Sequence, residues 1–344
     1  MIGVTDQPPI TTTDYHTGGE PFRIVTGGVP TPEGRTVPER RRWAAAHLDH
    51  VRHLLVDEPR GHADMYGAFV TPPDDEGGDL GVVFFHNEGY STACGHGTIA
   101  LVTWAIDSGR VAVVPGARSV AVTVDVPSGR LACTARLDAA GRVEAVRFRN
   151  VPSFVLARDV TVATTRGPLS LDIAFGGAFY GSLDARTTGL RVEPRALPAL
   201  IALQRELRPA LERAIEVVHP TLPDLLGIYG VIFWEPLDDA EGADVGQRNV
   251  TVFADGEVDR SPCGSGTSAR LALLHARGEI EIGGHLLHRS IVDSAFDGWV
   301  VAKATPVGGQ PSVLTDVEGS AFRTGEHTFH LDPRDPLKTG FLVR

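Results

Sequence analysis

The sequence predicts an α/β protein built from two similar halves, and three observations carry that prediction. Short strand-like runs are spread along the whole chain, two longer stretches have helical periodicity, and one glycine-rich block recurs with its flanking elements. At roughly 150 residues per domain, 344 residues also suit two domains.

In chain order, Tyr15 to Val25 reads as extended backbone that turns at Gly18-Gly19. From Pro38 to Leu55, the residues Ala44, Leu48, Val51 and Leu55 recur at helical spacing and predict an amphipathic helix. Met65 to Val70 and Gly81 to Phe85 are apolar runs between turn clusters such as Pro72-Pro73-Asp74, which predicts strands. Val111 to Val151 continues with strand-like alternation, in Val120, Val122 and Val124 and then Leu131 and Cys133. Leu200, Leu203, Leu207, Leu211, Ile215 and Val218 mark a second long helix, with a kink expected at Pro209. Strand signals return at Ile228 to Trp234 and Asn249 to Phe253, and the last fifth reads as mostly β.

Composition excludes several classes. With 32 basic and 43 acidic residues the net charge is −11, which argues against nucleic acid as a partner. No apolar run is long enough to span a membrane, and Met1 to Pro9 lacks the basic and apolar regions of a secretory signal. Three cysteines do not make a disulfide framework, so a soluble cytoplasmic protein is expected. Only Lys303 and Lys338 are lysines, both late in the chain, which leaves no good candidate for a pyridoxal phosphate Schiff base.

The repeat carries the chemistry. Cys94-Gly95-His96-Gly97-Thr98 is answered by Cys263-Gly264-Ser265-Gly266-Thr267, 169 positions later. A β-rich run and a polar loop precede each block. An apolar helical stretch follows each and ends at a glycine fifteen residues after the cysteine, Gly109 and Gly278. Two homologous halves, each starting a helix at a cysteine, are the simplest reading. A helix start offers unpaired amides and the positive end of the dipole, so a thiol there is expected to have a lowered pKa. The adjoining amides can hold a carboxylate. Two such helices facing each other would put a thiol on each side of a bound amino acid. One would remove the Cα proton and the other would return a proton to the opposite face, with no cofactor.

Other readings of these residues differ in what they require. Cys133 lies in a strand-like run without a motif and reads as a small core residue. A disulfide between Cys94 and Cys263 is disfavoured in a reducing compartment, and zinc would need clustered ligands that the sequence lacks, so no metal is expected. Both blocks also fit G-x-G-x-x-A, the dinucleotide fingerprint, but neither has the acidic residue at the right distance.

Four segments resemble the proline racemase family: Asp14-Tyr15-His16-Thr17-Gly18-Gly19-Glu20-Pro21, Glu58-Pro59-Arg60-Gly61-His62, Cys94-Gly95-His96-Gly97, and Asp259-Arg260-Ser261-Pro262-Cys263-Gly264-Ser265-Gly266-Thr267. The likeness runs from about Thr12 to Phe341. It implies the α/β (α+β) fold of diaminopimelate epimerase, two pseudo-symmetric domains each with a curved sheet around a central helix and the site between them. Residues 12–155 would form the first domain, completed by 333–344, and 156–332 the second. The resemblance implies Cys94 and Cys263 as the acid/base pair. Gly95, His96, Gly264 and Ser265 would give amides to the substrate carboxylate, His96 and Asp259 would meet its ring nitrogen, and Tyr66 and Phe253 would wall the pocket. His47, His50 and His53 are read as a solvated helix face.

Family members include proline racemases, 4-hydroxyproline 2-epimerases and trans-3-hydroxy-L-proline dehydratases. Cysteine at both positions points to inversion at Cα of proline or 4-hydroxyproline, since mammalian-like dehydratases resemble this chain but have threonine at the second position. Gly176-Gly177-Ala178-Phe179-Tyr180, His86-Asn87-Glu88-Gly89-Tyr90 and Leu226-Gly227-Ile228-Tyr229-Gly230 look more like the dehydratase branch. Dehydration of trans-3-hydroxy-L-proline is therefore the alternative, and a non-catalytic amino-acid-binding protein the second. The expected partner is a small imino acid and the expected assembly a homodimer, without nucleic acid, membrane or cofactor.

Overall fold

The computed structural model describes residues 8–343; most of the segment read for a secretory signal, Met1 to Gln7, lies outside them. The chain runs β1 (Ile10–Thr17), β2 (Glu20–Gly27), α1 (Val37–His47), α2 (Asp49–Val56), β3 (Tyr66–Thr71), β4 (Leu80–His86), α3 (Gly95–Asp107), β5 (Ser119–Val126), β6 (Gly129–Leu137) and β7 (Val143–Arg149). It continues β8 (Ser153–Thr164), β9 (Gly167–Phe175), β10 (Phe179–Asp184), α4 (Leu197–Ala214), β11 (Ile228–Pro236), β12 (Val245–Phe253) and β13 (Glu257–Asp259). The last elements are α5 (Gly264–Ala276), β14 (His285–Arg289), β15 (Ala295–Val307), β16 (Gln310–Gly319) and β17 (Ala321–Phe329).

Pairing repeats from half to half. β2 is parallel to β3, β3 antiparallel to β4, and β4 parallel to β5. In the same order β10 is parallel to β11, β11 antiparallel to β12, and β12 parallel to β14. Helices fill the same crossovers: α3 between β4 and β5, α5 between β12 and β14. Both are buried around almost their whole circumference, as apolar central helices must be. Each ends as its sequence predicts, with Gly109 at φ +73° and Gly278 at φ +71°.

The halves are sewn together twice. β7 pairs with β16, matching Phe148 with Val317, and β17 returns to pair along β1 from Phe329↔Ile10 to Ala321↔Thr17. Phe341 also bridges Glu58. We therefore propose a division in which the chain rejoins the first half at Ala321 rather than at 333.

Two helices differ from expectation. The helix read over Pro38 to Leu55 breaks at Leu48, whose φ/ψ of −115°/10° leaves the helical region. The break keeps all four periodic residues buried, Ala44, Leu48, Val51 and Leu55, while turning α2 onto β4. Core packing overrides periodicity here. The second helix ends at Ala214, so Ile215 and Val218 lie beyond it, and Pro209 is accommodated inside. His47 and His50 are exposed and His53 half-buried.

Candidate active site

Cys94 and Cys263 occupy the N-cap positions of α3 and α5. Cys94 is extended (φ −153°), and its Sγ accepts a hydrogen bond from the Gly97 amide at 3.3 Å. Cys263 has φ +65°, a left-handed conformation that costs a non-glycine residue on the order of 1–3 kcal/mol and is typically retained where function needs it. Its amide donates to Ser261 Oγ (3.1 Å), and Asp259 Oδ1 accepts from both Ser261 N (2.8 Å) and Ser261 Oγ (2.7 Å), so the DRSPC segment holds the turn.

The two helix starts touch head to head. A Cβ on Gly95 would lie 2.5 Å from Gly264 Cα, and one on Gly264 would lie 2.6 Å from Gly95 Cα. Only glycine fits at either place. The first amides of each helix, at Gly95 and His96 and at Gly264 and Ser265, precede the first intrahelical bonds, Thr98 N to Cys94 O and Thr267 N to Cys263 O. These four amides lie at the contact of the two helix starts without intrahelical partners, the kind of donor that can hold a carboxylate.

Around this point a cavity of about 10 Å³ is lined by both thiols, His96, Asp259 and an aromatic wall. The structure brings together every residue the sequence singles out: Tyr66, Cys94, Gly95, His96, Phe253, Asp259, Cys263 and Ser265 line it directly, and Gly264 lies at the junction. His96 Nε2 is 3.3 Å from Cys94 Sγ, and its Nδ1 is 3.7 Å from Asp259 Oδ2, a link between the halves. Tyr66 and Phe253 rings lie 6.0 Å apart.

Three lining residues escaped sequence reasoning, Ala93, Tyr180 and Tyr229, and the two tyrosines bring hydroxyls to the site. Tyr180 Oη is 2.7 Å from Ser265 Oγ and 3.7 Å from Cys263 Sγ; Tyr229 Oη is 2.8 Å from Tyr66 Oη. Both lie in segments read only as markers of a branch, GGAFY and LGIYG, so the signal was present without its meaning. Tyr229 also lines an adjoining cavity of about 360 Å³ that opens toward Arg41, Glu88 and Arg208.

One expectation is corrected. The helix starts were expected to lower both thiol pKa values, but burial pushes Cys263 up to about 12 and raises Cys94 well above the ordinary value. The Asp259 carboxylate adds to the rise at both, while the Gly97 and Gly266 amides oppose it. In a dry, closed pocket, desolvation of a thiolate outweighs one or two amide hydrogen bonds.

Two buried thiols, a histidine and a carboxylate around one cavity at the junction of two like halves make a candidate acid/base site, and comparison with known proteins gives the family. Residues 12–342 match the proline racemase family, and the chain belongs to it. It is 46% identical over 333 residues to the trans-3-hydroxy-L-proline dehydratase of Bacillus thuringiensis subsp. konkukian, covering 97% of this chain and 98% of that one. It is 45% identical over 337 residues to the 3-hydroxyproline 2-epimerase of Burkholderia multivorans, with 97% and 98% covered. The crystal structure of a hydroxyproline epimerase from Agrobacterium vitis, with bound trans-4-hydroxy-L-proline, superposes with a TM-score of 0.90 at 32% identity, covering 98% and 96%. The fold is accordingly the diaminopimelate epimerase-like one, and family members are isomerases or, for the dehydratase, lyases. Among the described residues no helix is long and apolar enough to cross a membrane.

Proposed function

We propose that this chain inverts the α-carbon of proline or a hydroxyproline, with Cys94 and Cys263 as the acid/base pair. The observation that supports this best is the symmetry of the site: two cysteines at equivalent N-caps, lining one cavity, each followed by the free amides of a helix start. The substrate carboxylate binds the amides of Gly95, His96, Gly264 and Ser265. The cationic ring nitrogen lies against Asp259 and His96. One thiolate takes the Cα proton, the C–H electron pair delocalises into the carboxylate, and the opposite S–H gives its proton to the other face of Cα. Tyr66 and Phe253 exclude water, which keeps the carbanion-like state from being quenched. No cofactor is needed for these steps. Assembly as a homodimer and residence in the cytoplasm, where thiols stay reduced, belong to the same reading.

A second reading is favoured by the relatives named trans-3-hydroxy-L-proline dehydratase and by the GGAFY segment. There a thiolate takes the Cα proton, the Cα–C3 double bond forms, and the C3 hydroxyl leaves as water after gaining a proton. Incubation in D₂O separates the two. Optical inversion with deuterium at Cα supports inversion, and pyrroline-2-carboxylate supports dehydration. If neither appears with any imino acid, both readings fail and a binding protein remains.

A further inference from the structure

Strand register pairs Phe22 with Tyr66 across β2 and β3, and Tyr66 with His86 across β3 and β4. In the second half Tyr180 pairs with Gly230 across β10 and β11, and Gly230 with Phe253 across β11 and β12. His86 and Phe253 end their strands just before the two cysteine loops, so Tyr180 is the counterpart of Phe22. Phe22 is buried and packs edge-on against His96, 5.9 Å between centroids. A ring thus stands at this position beside each cysteine helix. A hydroxyl is added only in the second half, and it is the atom that reaches Ser265 and Cys263.

That hydroxyl leaves a donor over. Tyr180 Oη and Ser265 Oγ carry one proton each, and a single proton spans their 2.7 Å contact. The Cys263 thiol donates to Tyr180 Oη at 3.7 Å and so takes neither, which leaves the other hydroxyl proton unspent in a pocket where Tyr180 is 1% and Ser265 4% exposed. Burial holds the phenol in its protonated, donating form. Proline offers only C–H groups there. A ring hydroxyl would take the spare proton. Because Cα must lie against the thiol for proton transfer, a hydroxyl pair that reaches to 3.7 Å from that sulfur is closer to substituents on C3 than to those on C4.

We propose that the Tyr180–Ser265 hydroxyl pair recognises a hydroxyl on C3 of the imino-acid ring and sets the preference of this site for 3-hydroxylated over unhydroxylated substrate. This rests on the acid/base reading above and adds the substrate's ring chemistry to it. A buried polar site rejects an analogue that lacks the matching group far more strongly than an apolar pocket rejects an extra one.

The test measures loss of the Cα proton in D₂O, as kcat/KM, with trans-3-hydroxy-L-proline, trans-4-hydroxy-L-proline and L-proline. Wild-type enzyme is expected to prefer the 3-hydroxylated ring. Tyr180→Phe, which places the side chain already present at Phe22, is expected to lower the ratio of 3-hydroxyproline to proline at least tenfold. Ser265→Ala, which keeps the backbone amide, should lower it in the same direction. A ratio of two substrates on one enzyme does not move if the variants merely lose structure. A wild-type preference for proline, or a ratio that Tyr180→Phe shifts less than threefold, overturns this inference alone. Absence of exchange with all three compounds in the wild type overturns the acid/base reading and this inference with it.

Discussion

Gly95 and Gly264 are in backbone contact across the junction of the two halves, each leaving about 2.5 Å where the other would carry a side chain. Because each glycine directly follows a cysteine N-cap, the contact is expected to set how far apart the two thiols stand. In the proposed mechanism a proton acceptor and a proton donor must both lie within reach of one carbon, so this spacing should govern the rate.

Substitution of either glycine by alanine is expected to force the helix starts apart. Misplacement by about 1 Å costs on the order of 100-fold in rate. We expect kcat/KM for Cα exchange to fall by about that factor in Gly95→Ala and in Gly264→Ala, measured by NMR in D₂O. Rates within threefold of wild type in both would show that the contact does not set the thiol spacing.

Replacing either thiol by a hydroxyl removes a usable base. Cys94→Ser and Cys263→Ser should each lower inversion about 1,000-fold, within the range expected for general acid–base catalysis. Pyrrole-2-carboxylate should still bind each variant within a few-fold of wild type by calorimetry, because the backbone amides of the helix starts remain. Untouched inversion in both variants would end the paired-thiol mechanism. Cys263→Thr is expected to retain or gain dehydration of trans-3-hydroxy-L-proline, since elimination needs a base on one face only.

The raised thiols set a direction for pH dependence. The base form is the thiolate, and burial holds Cys263 up to about 12 and Cys94 above its ordinary value. Since kcat reports ionisations of the closed enzyme–substrate complex, it should climb between about pH 7 and pH 9 without levelling. A plateau already reached at about pH 7.5 would mean that a thiol is depressed instead.

His288 gives a stability prediction with the opposite limb. It is fully buried beside Thr267 Oγ1 at 2.8 Å, and burial, with the charge of Arg270, pushes its pKa down to about 3. The unfolded chain takes a proton below the ordinary value of 6.5, and the folded chain does not. Its contribution is therefore present above pH 6.5 and lost as pH falls toward 3, at up to about 1.4 kcal/mol per pH unit. Unfolding free energies of wild type and His288→Gln should converge between pH 6.5 and 4. Parallel curves would show that His288 titrates normally.

A cavity of about 10 Å³ cannot hold a five-membered ring, so the halves must part to admit one. The contacts that would open include the Tyr66–Tyr229 hydroxyl pair and the Arg260 amide on Glu20 Oε2, 2.7 Å. Small-angle scattering is expected to show a smaller radius of gyration with pyrrole-2-carboxylate than without. Superimposable profiles would refute hinged closure.

Much of this was legible in the sequence because it rests on local chemistry. The duplicated Cys-Gly-x-Gly-Thr blocks, their helices and the terminating glycines at 109 and 278 follow from backbone rules that act within one turn. Cys94, Gly95, His96, Asp259, Cys263, Gly264 and Ser265 came from these blocks and the residues just before them, while Tyr66 and Phe253 came from the family resemblance alone. The break at Leu48, the pairing of β17 with β1 and the Gly95–Gly264 contact were not legible, because each depends on residues far apart in the chain. The thiol pKa was misjudged for the same reason: a helix start is visible in sequence, but the water excluded around it is not. Tyr180 and Tyr229 stood in recognisable segments, and only the pairing of strands carried the first to Cys263 and the second to Tyr66. Sequence determined which groups could do the chemistry. Tertiary structure decided how close they stand and how dry they are, since distance and desolvation are set by long-range packing.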